Sequence, residues 1–506
     1  MSDKPNIVFI LADDMGYGDI RALNSASAFP TPNLDRLANQ GLSFTEAHSS
    51  SAVCTPSRYS IMTGRYCWRT WLKRDVLEGV GQPLIPPERL TLARLCRDAG
   101  YRTACVGKWH LGWNWAVKPG MEDRVNTTLR DGKLQGWIDF SQPITDGPTA
   151  NGFDEFYGIS GSLDMPPYVY VENDMPVETP AAWGSPREFI TEGPRMAGLR
   201  ANFVLEHLTD KALDYIGRQS PEQPFFLYFP ITAPHSPVAP GSEFIGKSGV
   251  NPYCDFCMEV DYRVGQILDG LRAQGLDDNT LVVFTSDNGV APGPAEVEVL
   301  ERRYNHYCSE KRRGYKADVW DGGHRVPFLM RWPAGIKPGR RNHQPVGIFD
   351  MFSTVAEMLG VELPPEAGED SVSLLPALRG GEIDTSQRSA LIHHSFTGHF
   401  AIRVGDWKLL RCPGSGGWCF DDETARAAGF PEIQLYNMAE DEGERRNLAD
   451  DHHEKVREMT ELLHKAIIRG RTTPGPTVAN EPAVSLDTWD GVVWLPEIPE
   501  AFVVDD

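Results

Sequence analysis

Four short apolar runs end on residues that bind ions or move protons. Ile7–Ala12 runs into Asp13-Asp14, Leu281–Thr285 into Ser286-Asp287-Asn288-Gly289, and Thr103–Gly107 into Lys108-Trp109-His110, while Phe225–Phe229 is followed within a loop by His235. Buried parallel strands read as such runs, and in open α/β sheets the ligand crevice lies beyond their carboxyl ends. All four runs therefore deliver polar groups to one edge. Three carboxylates and an amide oxygen converging there repel one another at a cost of roughly several kcal/mol per close pair once partly desolvated, and a hard divalent cation removes that cost. Asp13, Asp14, Asp287 and Asn288 are oxygen donors, which suit Ca²⁺ or Mg²⁺ better than Zn²⁺. Taken singly, an Asp-Asp pair is equally a helix cap and Asp-Asn-Gly a simple turn. Their shared edge is what favours a metal.

The densest signal is Val53-Cys54-Thr55-Pro56-Ser57-Arg58-Tyr59-Ser60-Ile61-Met62-Thr63-Gly64-Arg65. Pro56 fits the first turn of a helix, which puts Cys54 at its N-terminus, where free amides and the dipole favour an anion. Arg58, four residues on, faces the same side. The plain alternative, Cys54 as a small buried hydrophobe and Arg58 as a surface charge, leaves the rest of the segment unexplained. Cys-x-Pro-Ser-Arg followed by Thr-Gly-Arg resembles the signature of the type I sulfatases, arylsulfatase-like members of the alkaline phosphatase superfamily. Their cysteine is oxidised to formylglycine by a separate maturation enzyme. The resemblance extends through Pro5-Asn6-Ile7, Gly107-Lys108-Trp109-His110-Leu111-Gly112, Ser286-Asp287-Asn288-Gly289 and Gly322-Gly323-His324-Arg325-Val326-Pro327. It covers nearly the whole chain.

The resemblance implies that Asp13, Asp14, Asp287, Asn288 and the modified Cys54 hold the metal, usually Ca²⁺, that Lys108, His110, His235 and Lys316 bind sulfate and move protons, and that Arg58 supports the hydrated aldehyde. One hydroxyl of that hydrate attacks sulfur, and the other expels sulfate and regenerates the aldehyde, an exit that a thiol lacks. His235 is the expected general acid, with Lys316 sharing that role, and His110 the acceptor of the second proton. Lys108 and His110 stand two apart, which in an extended segment puts both on one side, aimed at one anion. His394, beside His393 and near His399, lies in a region that approaches the substrate in related enzymes.

The elements that must position these groups make an α/β fold: a large doubly wound mixed sheet flanked by helices, alkaline-phosphatase-like, with a smaller C-terminal α+β domain. The helix carrying Phe256, Val260, Val264, Ile267, Leu268 and Leu271 has a spacing near 3.6. The alternation fades near residue 360, and Glu362–Asp370 suggests a linker or surface crossing. Phe400–Val404 and Trp407–Leu410 flank the hairpin signal Gly405-Asp406, Ile433–Tyr436 adds a strand, and a helix carries Val456, Met459, Leu462, Leu463, Ala466 and Ile467 on one face. We read residues 1–365 as the catalytic domain, 366–471 as the small domain, and 472–506 as an extended tail whose Trp489, Trp494 and Phe502 strap it to the body or to a neighbouring subunit.

Composition narrows the function. With 506 residues, 49 Lys+Arg against 70 Asp+Glu and a net charge of −21, the chain repels large polyanions, so no nucleic-acid partner is expected. No stretch reaches the ~20 apolar residues of a membrane span, and Ile7–Ala12 is too short for a signal-peptide core. The expectation is a cytoplasmic protein with no membrane partner, or a periplasmic or secreted one whose leader was removed. Nine scattered cysteines read as reduced thiols. Cys254 and Cys257 form a CxxC without a second pair and open an amphipathic helix, so they carry no metal or redox expectation. Trp113, Trp115 and Trp137 could stack on a sugar or aryl group, with core packing as the plainer role. The expected activity is hydrolysis of a sulfate monoester, of a sugar first and an aryl group second, on a small sulfated substrate. The rival is a phosphonate or phosphate ester hydrolase of the same superfamily, and more remotely an inactive ligand-binding relative. A homo-oligomer is left open, and the loops 116–149 and 162–195 are expected to set specificity.

Overall fold

The computed structural model describes residues 4–127 and 132–480. A ten-stranded mixed sheet forms the body. Its strands in chain order are β1 (Asn6–Ala12), β2 (Leu42–Phe44), β3 (Arg102–Lys108), β4 (Glu155–Ile159), β5 (Val171–Glu172), β6 (Met175–Pro176), β7 (Phe225–Pro230), β8 (Thr280–Ser286), β9 (Phe328–Arg331) and β10 (Arg340–Asn342). Across the sheet they run β10-β2-β9-β8-β1-β7-β3-β4-β5-β6. The five central strands, β8, β1, β7, β3 and β4, are mutually parallel, whereas β9 and β5 join them antiparallel. Every residue of β1, β7 and β8 is buried, because helices cover both faces and the strands are apolar on both sides.

Helix α1 spans Cys54–Thr63, α2 Val204–Gly217 and α3 Pro252–Ala273. Asn251 caps α3, its side chain accepting from the Cys254 amide. The six apolar residues at 3.6 spacing on α3 are all buried, and α3 packs against α2. Cys254 and Cys257 lie inside this packing, and all nine cysteines are free thiols, only Cys419 being exposed. Among the described residues no helix is long and apolar enough to cross a membrane.

A second, four-stranded antiparallel sheet contains β11 (Leu391–His394), β12 (Phe400–Val404), β13 (Trp407–Leu410) and β14 (Gln434–Asn437). Val404 pairs with Trp407 around Gly405, whose φ of +55° a side chain would resist. The sequence pattern missed β11, because its four residues are half histidine. Helix α4 (His453–Ile468) covers this sheet, and its Met459, Leu463, Ala466 and Ile467 share one core with Ile392, Phe400 and Leu435 and with Tyr66, Trp68 and Phe349 from the large body.

The segment Glu362–Asp370 is not simply a surface crossing. Glu369 and Asp370 are fully buried, Arg69 grips Asp370 with two nitrogens at 2.8 Å each, and Arg65 and Arg89 reach Glu369 at 2.8 and 2.7 Å. The arginine of Thr63-Gly64-Arg65 therefore anchors the chain where it passes toward the second sheet. The start of the tail is tied down as well: Arg65 donates to the Ala479 carbonyl (3.0 Å) and Asn480 to that of Ile467 (2.7 Å). Trp489, Trp494 and Phe502 lie outside the described residues. Trp113, Trp115 and Trp137 are buried core rather than stacking platforms, Trp113 meeting Trp115 edge-on at 5.3 Å.

Candidate active site

The parallel register brings the carboxyl ends together. Ala12 stands opposite Ser286, so Asp13 and Asp287 leave adjacent strands side by side, and the Asp287 amide donates to the Ala12 carbonyl (3.1 Å). The chain turns sharply at Asp14, whose φ is +67°, a region that Asp tolerates better than most residues. The turn is held by the Asp14 amide on Asp287 Oδ1 (3.3 Å) and the Met15 amide on Ser286 Oγ (2.9 Å). Asn288 Nδ2 donates to Asp14 Oδ1 at 2.7 Å. Ligand atoms of Asp13, Asp14, Cys54 and His235 all lie within 4.8 Å of one another.

Helix α1 starts at Cys54 with Val53 as an extended cap residue that offers no side-chain bond. Thr55 Oγ1 accepts from the Leu77 amide (3.1 Å) and Ser57 Oγ donates to the Ser51 carbonyl (2.9 Å), fixing the first turn. Arg58 points back to the strand ends: Nε and Nη2 donate to Asp287 Oδ2 at 3.0 and 2.7 Å, Nη1 donates to the Lys108 carbonyl (3.0 Å), and Nη2 is 3.5 Å from Asp13 Oδ1. Lys108 Nζ donates to Asp13 Oδ2 (2.7 Å) and to Ser162 Oγ. Lys316 lies 2.7 and 2.8 Å from the two oxygens of Asp14. Three carboxylates thus face three cations in a fully buried cluster.

Crowding shows in the acidities. Burial would raise the Asp13 carboxyl, but Lys108, His235, Arg58 and Lys316 hold it well below the usual carboxylate range. Burial, with the neighbouring Asp13 charge, pushes Asp287 up to about 6 despite Arg58. Burial likewise pushes the Cys54 thiol up to about 12 against the pull of Lys108 and Lys316. Asp13 Oδ1, apart from its 3.5 Å ion contact to Arg58, and Asn288 Oδ1 are buried without a hydrogen-bond partner, two under-satisfied oxygens among carboxylates, which fits a hard cation.

The histidines divide. His235 donates from Nδ1 to the Ser236 carbonyl (2.7 Å), leaving Nε2 3.6 Å from Asp14 Oδ2. Lys108 and His110 do not share the side of an extended segment: β3 stops at Lys108, and His110 has φ +56°. Its Nε2 bonds the Leu77 carbonyl at 2.8 Å, so that nitrogen is the donor, and the buried Nδ1 has no partner. Burial, then Lys108 and Arg58, hold this imidazole far below its ordinary value; it is neutral. His394 has both ring nitrogens buried without a hydrogen-bond partner. It is buried on β11, where its amide and carbonyl tie to Ser50 and Ala52 just ahead of Cys54, and burial lowers it to about 4. Sequence reasoning missed Ser162. The signal is Ser160-Gly161-Ser162 directly after β4, a fifth parallel strand ending at the same edge.

Two other groups of buried side chains bring three candidate ligands together among the described residues, His48/His324/His393 and Asp19/His306/Cys308. His324 and His393 stack 3.9 Å apart with planes 9° from parallel, so their in-plane lone pairs cannot meet at one ion. Asp19 and His306 are already bonded to each other at 2.8 Å, with Tyr253 and the Gly16 amide on the other Asp19 oxygen.

A family model described as Sulfatase matches residues 5–361. The chain is 32% identical to an N-acetylgalactosamine-6-O-sulfatase of Bacteroides thetaiotaomicron over 509 residues, covering 92% of this chain and 94% of that one. It is 32% identical to arylsulfatase A of Bos taurus, covering 94% and 90%, and 31% identical to the N-acetylgalactosamine-6-sulfatase of Homo sapiens, covering 81% and 75%. A solved structure from work on glycosaminoglycan metabolism by Bacteroides thetaiotaomicron superposes with TM-score 0.79 at 30% identity, covering 92% of this chain and 99% of that one. A phosphonate monoester hydrolase of Agrobacterium radiobacter shares the fold at TM-score 0.56 and 20% identity, covering 91% and 95%.

Proposed function

This chain belongs to the sulfatase family and is a sulfuric ester hydrolase, and we propose that it cleaves a sulfate monoester of a sugar, with Cys54 as its formylglycine precursor and a divalent cation, Ca²⁺ by preference, in the strand-end cluster. The observation that carries the reading is the convergence of Asp13, Asp14, Cys54 and His235 within 4.8 Å, with Asp13 Oδ1 and Asn288 Oδ1 making no hydrogen bond. The sugar follows from the relatives, several of which are named as N-acetylgalactosamine 6-sulfatases.

A thiol is a poor nucleophile here, since a value of about 12 leaves roughly one thiolate in 10⁵ at neutral pH. Oxidation of Cys54 to formylglycine by a maturation enzyme would supply an oxygen nucleophile in its place. The cation, held by Asp13, Asp14, Asp287 and Asn288 with the modified Cys54, would acidify that oxygen and polarise the ester. Arg58, Lys108 and Lys316 already balance the three carboxylates, so the added ion leaves the pocket positive toward a sulfate ester on a chain of net charge −21. Lys108 meets the cluster at Asp13 and Lys316 at Asp14, and both would bind sulfate oxygens. His235 has Nδ1–H committed to Ser236, so a proton given to the leaving alcohol departs from Nε2. His110, neutral with a free lone pair at Nδ1, would accept a proton there during sulfate release.

The test is sulfate released from N-acetylgalactosamine 6-sulfate, an aryl sulfate and an aryl phosphonate by protein co-expressed with a formylglycine-generating enzyme. Turnover of the sugar sulfate above both aryl esters is expected. Faster turnover of the phosphonate overturns the assignment.

A further inference from the structure

Most large apolar side chains near the candidate site are buried, but Trp418 is 51% exposed on a loop that is far from loose. Asp318 Oδ1, two residues beyond Lys316, accepts from both the Trp418 amide (3.0 Å) and the Cys419 amide (3.2 Å). Ser415 braces the same loop, its Oγ accepting from Gly417 and Phe420 at 3.2 Å each and its carbonyl from the Val319 amide at 2.8 Å. A Cβ at Gly417 would stand 2.3 Å from the Ala317 carbonyl, so the loop lies directly against the residue next to Lys316. The half-buried Phe396 packs on Trp418 with ring centroids 5.7 Å apart at 56°.

Phe396 is tied on both sides to segments that hold site residues. Its amide donates to the Ala317 carbonyl (3.0 Å), and its carbonyl accepts from the Asp75 amide (2.8 Å), two residues before Leu77, the partner of His110. It also follows His394, whose backbone bonds Ser50 and Ala52. The aromatic pair is thus fixed where the Lys316, His110 and Cys54 segments converge. An exposed indole on a rigid loop offers a flat apolar face at little ordering cost, the usual means of holding the C–H face of a ring while polar groups hold its substituents.

We propose that Trp418, backed by Phe396, is a substrate-positioning residue that stacks on the sugar ring carrying the sulfate ester, so that the second sheet's loop helps set specificity. This rests on the sugar-sulfatase reading above. The test compares wild type, Trp418→Ala and Trp418→Phe for KM on N-acetylgalactosamine 6-sulfate and for inhibition by inorganic sulfate, which meets the charged cluster but has no ring. A rise in KM of about five- to tenfold in Trp418→Ala is expected, largely restored in Trp418→Phe, with sulfate inhibition within twofold of wild type in both. An unchanged KM in Trp418→Ala overturns the platform while leaving the sulfatase reading intact. Equal weakening of substrate and inorganic sulfate also overturns it, since it would show that the loop merely supports Lys316. Wild type that releases no sulfate from the sugar overturns the reading beneath both.

Discussion

Acidification should weaken the seam between the two sheets through His393. This imidazole is fully buried on β11, stacked on His324 at 3.9 Å and 5.0 Å from His48, with Lys408, Arg403 and Asp321 also facing it. Burial, with Lys408, lowers it to about 3, against about 6.5 for a solvated histidine. The unfolded chain therefore takes up a proton near 6.5 that the folded chain refuses until about 3, so stability falls as pH drops through that window. At pH 5 the loss is RT ln[(1 + 10^1.5)/(1 + 10^−2)], about 2 kcal/mol, against about 0.2 kcal/mol at pH 7. Replacing His393 with Asn keeps an amide donor for the Ser49 carbonyl, which His393 Nδ1 now meets at 3.0 Å, and removes the titration. Denaturant unfolding at pH 7 and pH 5, followed by tryptophan fluorescence, reads the effect, and the fixed cost of the substitution cancels between the two pH values. The acid-induced loss should be about 2 kcal/mol smaller in His393→Asn than in wild type. Equal losses in the two proteins refute a neutral buried His393.

Cys54→Ala should abolish sulfate release with the far-ultraviolet circular dichroism unchanged, and the Cys54 peptide of active enzyme should have the mass of an aldehyde; full activity with an unmodified thiol would defeat the formylglycine assignment. Saturating Ca²⁺ at about 100 times its Kd should add about 2.7 kcal/mol of stability, seen as a higher melting midpoint than in EDTA; identical midpoints would leave the cluster without a cation. Arg69→Met takes the bidentate counter-ion from the buried Asp370, leaving it the Tyr66 and Thr472 amides and the Thr472 hydroxyl, and should cost about 3 kcal/mol, measured by denaturant unfolding; a cost under about 1 kcal/mol would show that the pair is not what anchors the crossing.

Much of the site was legible in one dimension because its pieces are local. Short apolar runs mark buried strands, the residues after them fall at one sheet edge, and the Cys54–Arg65 segment is contiguous, so the residues of the acidic strand-end cluster, with Cys54 and Arg58, could be picked out from the chain alone. What the sequence could not determine depends mostly on partners far apart along the chain. Register set Asp13 beside Asp287, folding paired Lys108 with Asp13 and Lys316 with Asp14, and a positive φ turned His110 away from the extended geometry its spacing suggests. Burial made Trp113, Trp115 and Trp137 core while leaving Trp418 half-exposed, a choice that composition and spacing cannot express because exposure is a property of what packs alongside. The acids of Glu369-Asp370 read as a solvated crossing until the fold delivered Arg65, Arg69 and Arg89 to them, since a buried charge is tolerable only where distant chain supplies its counter-ion.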